Sequence, residues 1–355
     1  MDCFKLLETN QVDCFILHNE FDKRYLTNFS GSSCQVIIKK DGIYFVTDGR
    51  YKTQIKVEIS DDIKTYIVKQ GKGYKEIFNE LFNDVKVVGV DNTISVEELT
   101  NLENNHPQVT FKAMNSFITP MRMCKTDNEV ELIKESIKVS EKSFVQILDF
   151  IKPGMSERQV RAQLESLQLL NGADDYSFDS IIASGENSAK PHASFSDRII
   201  NEGDILTIDF GCIKNGYCSD ITRTFFVGEP SNLELVRMHD LVRECMELQI
   251  SHIKPGVECR EIDAIGREFF KKHDVEQYFI HATGHGLGME VHESPYLNQA
   301  CDILLEPGMI ITIEPGLYVE GLGGIRIEQD VLVTKEGHEV LTSLDNSYNI
   351  YNERK

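Results

Sequence analysis

No run of apolar residues in this 355-residue chain approaches the roughly 18–20 that a membrane-spanning helix needs. The opening MDCFKLLETN lacks a basic stretch followed by a long apolar one, so no signal peptide is expected. Basic residues are outnumbered, 37 against 57 acidic, for a formal charge of -20. A nucleic-acid groove needs a basic stripe and is therefore not expected. Excess acid is usually a solvated surface, although some carboxylates can instead be metal ligands. The nine cysteines are scattered and form no C-x-x-C. Reduced thiols in a cytoplasmic protein fit this pattern better than a disulfide framework or a cysteine zinc site.

What is present suffices for about two domains. Residues 1–122 read as a smaller mixed α/β domain. Strands are expected at Cys14–Leu17, Gln35–Lys39, Tyr44–Thr47 and Val85–Val90. Asp41-Gly42 marks a hairpin, because glycine tolerates the positive φ of tight turns. Thr119-Pro120 interrupts the pattern, and Thr126 with Glu129 forms a capping box that opens a helix. Val130, Ile133, Ile137, Phe144 and Ile147 follow with helical spacing. A second domain is expected over residues 123–355.

That second part contains a weak internal repeat. Ile151-Lys152-Pro153-Gly154 recurs as Ile253-Lys254-Pro255-Gly256, each copy between two helical stretches. The segment from Gly203 to Gly211 matches that from Gly308 to Gly316. Two matches in the same order suggest related halves around a pseudo-two-fold axis, with Asp209 and Glu314 in equivalent places.

The same segments carry the candidate chemistry. Asp209 ends an apolar strand, and Asp220 is expected in a second strand, Tyr217–Val227, after a turn at Asn215-Gly216. The two aspartates should then face each other on one side of the hairpin, where like charges destabilise a sheet. Glu314 ends Ile310–Ile313, and Glu328 is expected within Ile325–Val333. Four carboxylates at apolar strand ends call for cations, and oxygen ligands suit divalent metals. His281, His285 and His292 lie close together beside glycines 284, 286 and 288. Those glycines disfavour a zinc-binding helix and favour a loop or distorted strand. His192 sits in a loop before the strand carrying Asp209.

Together these residues resemble the pita-bread metallopeptidases: Xaa-Pro aminopeptidases, prolidases and methionine aminopeptidases. The order Asp209, Asp220, His285, Glu314, Glu328 carries the resemblance, with the segments TIDFG, GHGLG, VHESP, IEPG and GIRIE. Tyr25 to Gly31 and Thr47 to Tyr51 are similar to the N-terminal domain of bacterial Xaa-Pro aminopeptidases, which methionine aminopeptidases lack. The resemblance implies an α+β fold, with a pita-bread C-terminal domain behind a creatinase-like N-terminal one. It implies two divalent metals, Mn first and Co or Zn as alternatives, held by Asp209, Asp220, His285, Glu314 and Glu328. Glu314 would also handle the proton of the attacking water, a hydroxide bridging the metals. His192 and His292 fall at the catalytic histidine positions, and His281 and Arg326 at positions lining the substrate pocket. Arg326 has a plainer reading as the partner of a carboxylate such as Asp220.

The resemblance further implies a proline-containing peptide as substrate and a homodimer. Many prolidases carry arginine just after the HE-x-P segment, where it can hold a dipeptide's carboxylate. Tyr296 stands there in this chain, which favours an aminopeptidase over an Xaa-Pro dipeptidase. A non-catalytic pita-bread binding module is the reading from another class. Such relatives have lost metal ligands, and this chain keeps all five.

Overall fold

Residues 3–116 and 118–354 are described by a computed structural model. The chain divides into two compact units, Met1–Arg122 and Met123–Lys355.

The first unit is built on one six-stranded sheet. Its strands run, in spatial order, Lys64–Ile67, Gly42–Thr47, Gln35–Lys39, Cys14–Leu17, Val87–Asp91 and Thr110–Met114. Alternation decides the two faces, because successive side chains point to opposite sides of a strand. Phe15, Leu17, Val36, Ile38 and Phe45 join one core, while Cys14, Ile16, Ile37, Tyr44 and Val46 join the other. The helices Tyr74–Leu81 and Val96–Asn105 lie along the second face, contributing Ile77, Phe78, Leu99 and Leu102 to it. The expected hairpin forms one residue earlier than Asp41-Gly42. Lys39 pairs with Gly42, so Lys40 and Asp41 make the turn and Gly42, at φ +146°, opens the returning strand.

The second unit opens with the helix Asp127–Phe150. Thr126 Oγ1 accepts from the Glu129 N–H at 3.4 Å, and Glu129 accepts from the Thr126 N–H at 2.9 Å. Val130, Ile133, Ile137, Phe144, Ile147 and Leu148 are buried in one core, where Phe144 stacks on Phe210 with ring centroids 5.4 Å apart.

The repeat is visible in backbone detail. Helices Asp127–Phe150 and Glu157–Leu170 correspond to Leu233–Ser251 and Cys259–Lys272. Between each pair a glycine adopts positive φ, +94° at Gly154 and +85° at Gly256. Each donates its N–H at 2.8 Å, Gly154 to Ile200 and Gly256 to Leu305. The strand triplet Ile181–Ser184, Ile205–Phe210, Ile221–Phe226 corresponds to Gly284–Gly286, Ile310–Ile313, Gln329–Val333, with the same antiparallel pairing.

Two strand expectations need correction. Asp220 does not lie within a continuous Tyr217–Val227 strand. Tyr217–Cys218 pairs with Cys212–Lys214 around the Asn215-Gly216 turn, and Ile221–Phe226 pairs with Ile205–Phe210. The chain changes sheets at Ser219 and Asp220. Glu328 likewise falls outside strand structure, between Gly323–Arg326, paired to Gly316–Val319, and Gln329–Val333, paired to Ile310–Ile313. A strand that changes partners leaves the ladder for a residue or two, and in each half a carboxylate occupies that break. Asp209 pairs with Thr222 rather than Asp220, so the two aspartates are diagonal on one face instead of opposite.

Candidate metal centre and cleft

Thr222 and Thr224 stitch one half to the other. Thr222 Oγ1 donates to Glu328 at 2.8 Å, and its carbonyl accepts the Glu328 N–H at 3.2 Å. Thr224 Oγ1 donates to the Arg326 carbonyl at 2.8 Å. These contacts bring the break after the second half's hairpin against the strand facing Asp209. Oxygens of Asp209, Asp220 and Glu328 consequently lie within 4.8 Å of one another, as do ligand atoms of His285, Glu314 and Glu328. Asp209, Asp220, His285 and Glu328 are buried, and Glu314 is half-buried.

Like charges this close resist ionisation. Burial, with Glu328 next, holds the Asp220 carboxyl well above its ordinary range. The same two causes act on Glu314, and burial with Asp209 pushes Glu328 up to about 8.

His285 sits at a register shift in the strand Gly284–Gly286, a distorted strand as the glycines suggest. Its Nδ1 lies 3.1 Å from the Gly286 carbonyl, which assigns the proton to Nδ1. Burial, with His292 next, pulls the imidazole down to about 3, so it is neutral at pH 7. The Nε2 lone pair therefore faces Asp220 Oδ2 at 3.6 Å and Glu314 Oε1 at 3.4 Å. Acceptors facing acceptors repel one another unless a cation or a shared proton lies among them. Asp209 Oδ1 is also buried without a hydrogen-bond partner in the protein. The donor set, four carboxylates and one imidazole, suits a hard to borderline divalent ion. These residues thus fit the metals expected from the sequence.

All nine residues singled out in the sequence line one cleft of about 560 Å³. His192 and His292 are exposed on it. Arg326 is buried, and its carboxylate partner is Asp209, at 2.7 Å, rather than Asp220. The cause is register: Arg326 ends the strand Gly323–Arg326, two residues before Glu328, against Thr222 and Thr224. The guanidinium also donates to Tyr318 Oη at 2.6 Å and to the Pro191 carbonyl at 3.1 Å.

Tyr318 went unnoticed in the sequence. Its hydroxyl accepts from Arg326 and lies 3.0 Å from His281 Nε2, while His281 Nδ1 lies 2.7 Å from the Ala282 carbonyl. The chain of donors fixes the His281 tautomer, and burial, with Arg326 next, pulls that imidazole down to about 4. Asp330 was also missed. It is a buried carboxyl behind Asp220, whose N–H it accepts at 3.4 Å, and burial with Glu328 holds it well above its ordinary range. An acid inside the apolar run QDVLV is the same signal that marks Asp209. Tyr318→Phe is expected to leave an Arg326 N–H and His281 Nε2 unpaired, costing about 1–3 kcal/mol. Denaturant unfolding would measure this, and KM for a proline peptide should rise as the cleft wall loosens. An unchanged stability would show that the hydroxyl bridges nothing.

Residues 131–335 match the model of metallopeptidase family M24, and residues 3–124 that of the creatinase/prolidase N-terminal domain. The chain is 35% identical to an Xaa-Pro dipeptidase of Pyrococcus furiosus over 96% of each chain. It is 32% identical to a putative Xaa-Pro aminopeptidase of Mycoplasma genitalium, over 93% of this chain and 92% of that one. Among solved structures, an Xaa-Pro dipeptidase from Bacillus anthracis superposes with a TM-score of 0.92 at 36% identity, covering 97% and 96% of the two chains. An X-Pro aminopeptidase from Thermotoga maritima gives 0.89 at 34%, covering 98% and 99%. The fold is accordingly the creatinase-like pita-bread fold expected from the sequence.

Proposed function

The chain belongs to metallopeptidase family M24, and from that premise we propose that it is a two-metal aminopeptidase that removes the first residue from Xaa-Pro-peptides. The metal centre in this reading is Asp209, Asp220, His285, Glu314 and Glu328. The neutral His285 facing two carboxyl groups supports it, because a divalent cation satisfies the imidazole lone pair and both carboxylates together. Divalent ions, when bound, supply Lewis-acid activation of water and of the scissile carbonyl.

The chain's own residues do the rest. Glu314, half-buried at the cleft, accepts the proton of the attacking water and passes it to the leaving proline nitrogen. His292 and His192 line the same cleft and donate to the oxyanion that develops. The Arg326, Tyr318 and His281 chain forms a rigid wall that positions the substrate. A bond before proline is a tertiary amide without an N–H, so recognition rests on such a fitted cleft. The same reading carries Mn as the first metal, with Co or Zn as alternatives, and a cytoplasmic homodimer. Among the described residues no helix is long and apolar enough to cross a membrane.

One observation supports the aminopeptidase over the dipeptidase. Arg161 and Arg326 are the arginines lining the cleft, and no lysine lines it among the described residues. Both are already committed. Arg161 pairs with Glu165 at 2.7 Å and Asp179 at 2.8 Å, and Arg326 pairs with Asp209. Their charge is already balanced by these carboxylates, which weakens any hold on the carboxylate of a bound Xaa-Pro dipeptide, and the position after Pro295 is Tyr296. A longer peptide places no carboxylate there. The names of the Pyrococcus furiosus and Bacillus anthracis relatives favour the dipeptidase as a second reading. Product analysis on Xaa-Pro and Xaa-Pro-Yaa peptides distinguishes the two. We expect kcat/KM about tenfold or more higher for the tripeptide, the equivalent of one missing charge-assisted hydrogen bond. Faster cleavage of the dipeptide would reverse the assignment.

A further inference from the structure

The first unit contains a second cavity, of about 390 Å³, which the peptidase reading does not use. It is walled by the helices Tyr74–Leu81 and Val96–Asn105 and by the carboxyl end of the strand Cys14–Leu17. That strand runs parallel to Val87–Asp91, with Ile16 beside Val90. The N–H groups of His18 and Asn19 both donate to the Asp91 carboxylate, which ties the two strand ends together. Crevices outside the carboxyl ends of parallel strands are where α/β sheets commonly lodge ligands.

Two imidazoles on its wall are left incomplete. His106 is 1% exposed, yet its Nδ1 has no hydrogen-bond partner in the protein. Nε2 of His18 is buried and equally without one. Leaving such an atom unpaired costs about 1–3 kcal/mol, which a ligand recovers when a small turn of the ring brings the atom to the cavity surface. Burial pulls both imidazoles below their usual range, so each is neutral at pH 7, with one donor and one acceptor nitrogen.

Charge is divided across the cavity. Lys75 is the cation whose field reaches His106, and Glu98 is an anion whose field reaches His18. Among the described residues neither Lys75 nor Glu98 is part of an ion pair, and the helix cap at Ser95 uses Oε2 of Glu98. Ile16, Phe78 and Leu102 give the wall an apolar part, beside the polar Gln35, Asn101 and Asn105. A phosphate ligand does not fit, since Lys75 is the one lysine or arginine on the described wall of a strongly acidic chain. Nor does a metal, since among the described residues every cluster of three ligand atoms lies in the second unit.

We propose that this cavity binds a zwitterionic free amino acid with an apolar side chain. The carboxylate accepts from Lys75 and from Nδ1–H of His106. The ammonium donates to Glu98 and to Nε2 of His18. The side chain packs on Phe78 and Leu102. The size suits this, as the cavity lies at the small end of the roughly 300–1,000 Å³ range of ligand pockets. The proposal is independent of the peptidase assignment.

The test is a titration of the full chain, chelator-treated and labelled with ¹⁵N-histidine, with L-leucine. The imidazole signals that disappear in His18→Gln and His106→Gln should shift saturably. N-acetyl-leucine, without the ammonium, and leucinamide, without the carboxylate, should each bind about tenfold more weakly or worse. Lys75→Ala removes an exposed side chain and should weaken leucine by a similar factor, even if the histidine variants fold poorly. The signals of His192, His281, His285 and His292 report separately on the other cleft. The proposal fails if leucine moves only those four, or if leucine, its amide and its acetyl derivative act alike on His18 and His106.

Discussion

Replacing Glu314 by glutamine is expected to lower kcat for an Xaa-Pro-Yaa peptide by about 10³-fold, the range lost with a general base. Steady-state kinetics on the metal-loaded variant would read this. The substitution keeps the shape and one acceptor oxygen, so Thr312 Oγ1, 3.4 Å away, retains a partner. It also removes a negative charge from a cluster in which burial and Glu328 already oppose ionisation. The metal-free variant should therefore be no less stable than the parent. Lost turnover in a folded variant that still retains two ions per chain assigns Glu314 to the proton transfer as well as to the metal centre. Near-full turnover would show that another group accepts the proton.

The second large effect is on stability. The gain on adding a divalent metal should reach about 4 kcal/mol at a thousandfold excess over Kd. At fixed metal concentration that gain should itself grow by at least about 1.4 kcal/mol between pH 7 and pH 9, the share of Glu328 alone, with Asp220 and Glu314 acting in the same sense. The sign follows from Glu328. Its folded value, about 8, is raised above the ordinary carboxylate value, so proton binding favours the fold below that value and is lost as pH rises through it. Metal-free protein then accumulates uncompensated carboxylate charge, which bound cations relieve. His281 and His285, lowered to about 4 and 3, act in the opposite sense. Their contribution is complete once the pH exceeds the ordinary histidine value, below this window. Buried thiols such as Cys245, pushed up beyond the ordinary range, weaken the fold at high pH with or without metal, and cancel in the difference. Denaturant titrations at the two pH values, with Mn and with chelator, give the quantity. A gain independent of pH would mean that the carboxylates are not the metal's ligands.

Much of this could be read from the chain because the signals are local. A carboxylate directly after three apolar strand residues and a threonine is unusual, and Asp209 and Glu314 stand out for that reason. The Thr126 and Glu129 box and the paired glycines Gly154 and Gly256 are likewise written in a few consecutive residues. What escaped depends on which strand pairs with which. The breaks holding Asp220 and Glu328 arise where the chain changes sheets, and alternation alone makes each look like one long strand. The Arg326 pairing with Asp209 spans two halves, as does its hydrogen bond to the Pro191 carbonyl, while its link through Tyr318 to His281 joins separate strands and loops of one half. His18 and His106 carry no motif, and only the folded first unit brings them to one cavity. The free thiols Cys14, Cys34, Cys124, Cys212, Cys218, Cys245, Cys259 and Cys301 match the expectation of reduced cysteines. The side chain of Cys3 lies outside the described residues.

The central claim is that five residues from two related halves converge on one pair of divalent ions that serve hydrolysis. Elemental analysis after loading with Mn and removal of free metal tests it most directly, on the parent chain and on Asp220→Asn and Glu328→Gln. The account predicts two ions per parent chain, at most one in either variant, and proline-peptide hydrolysis that a chelator abolishes and Mn restores. A parent chain that retains no metal, or one that hydrolyses the peptide equally well in chelator, would contradict it.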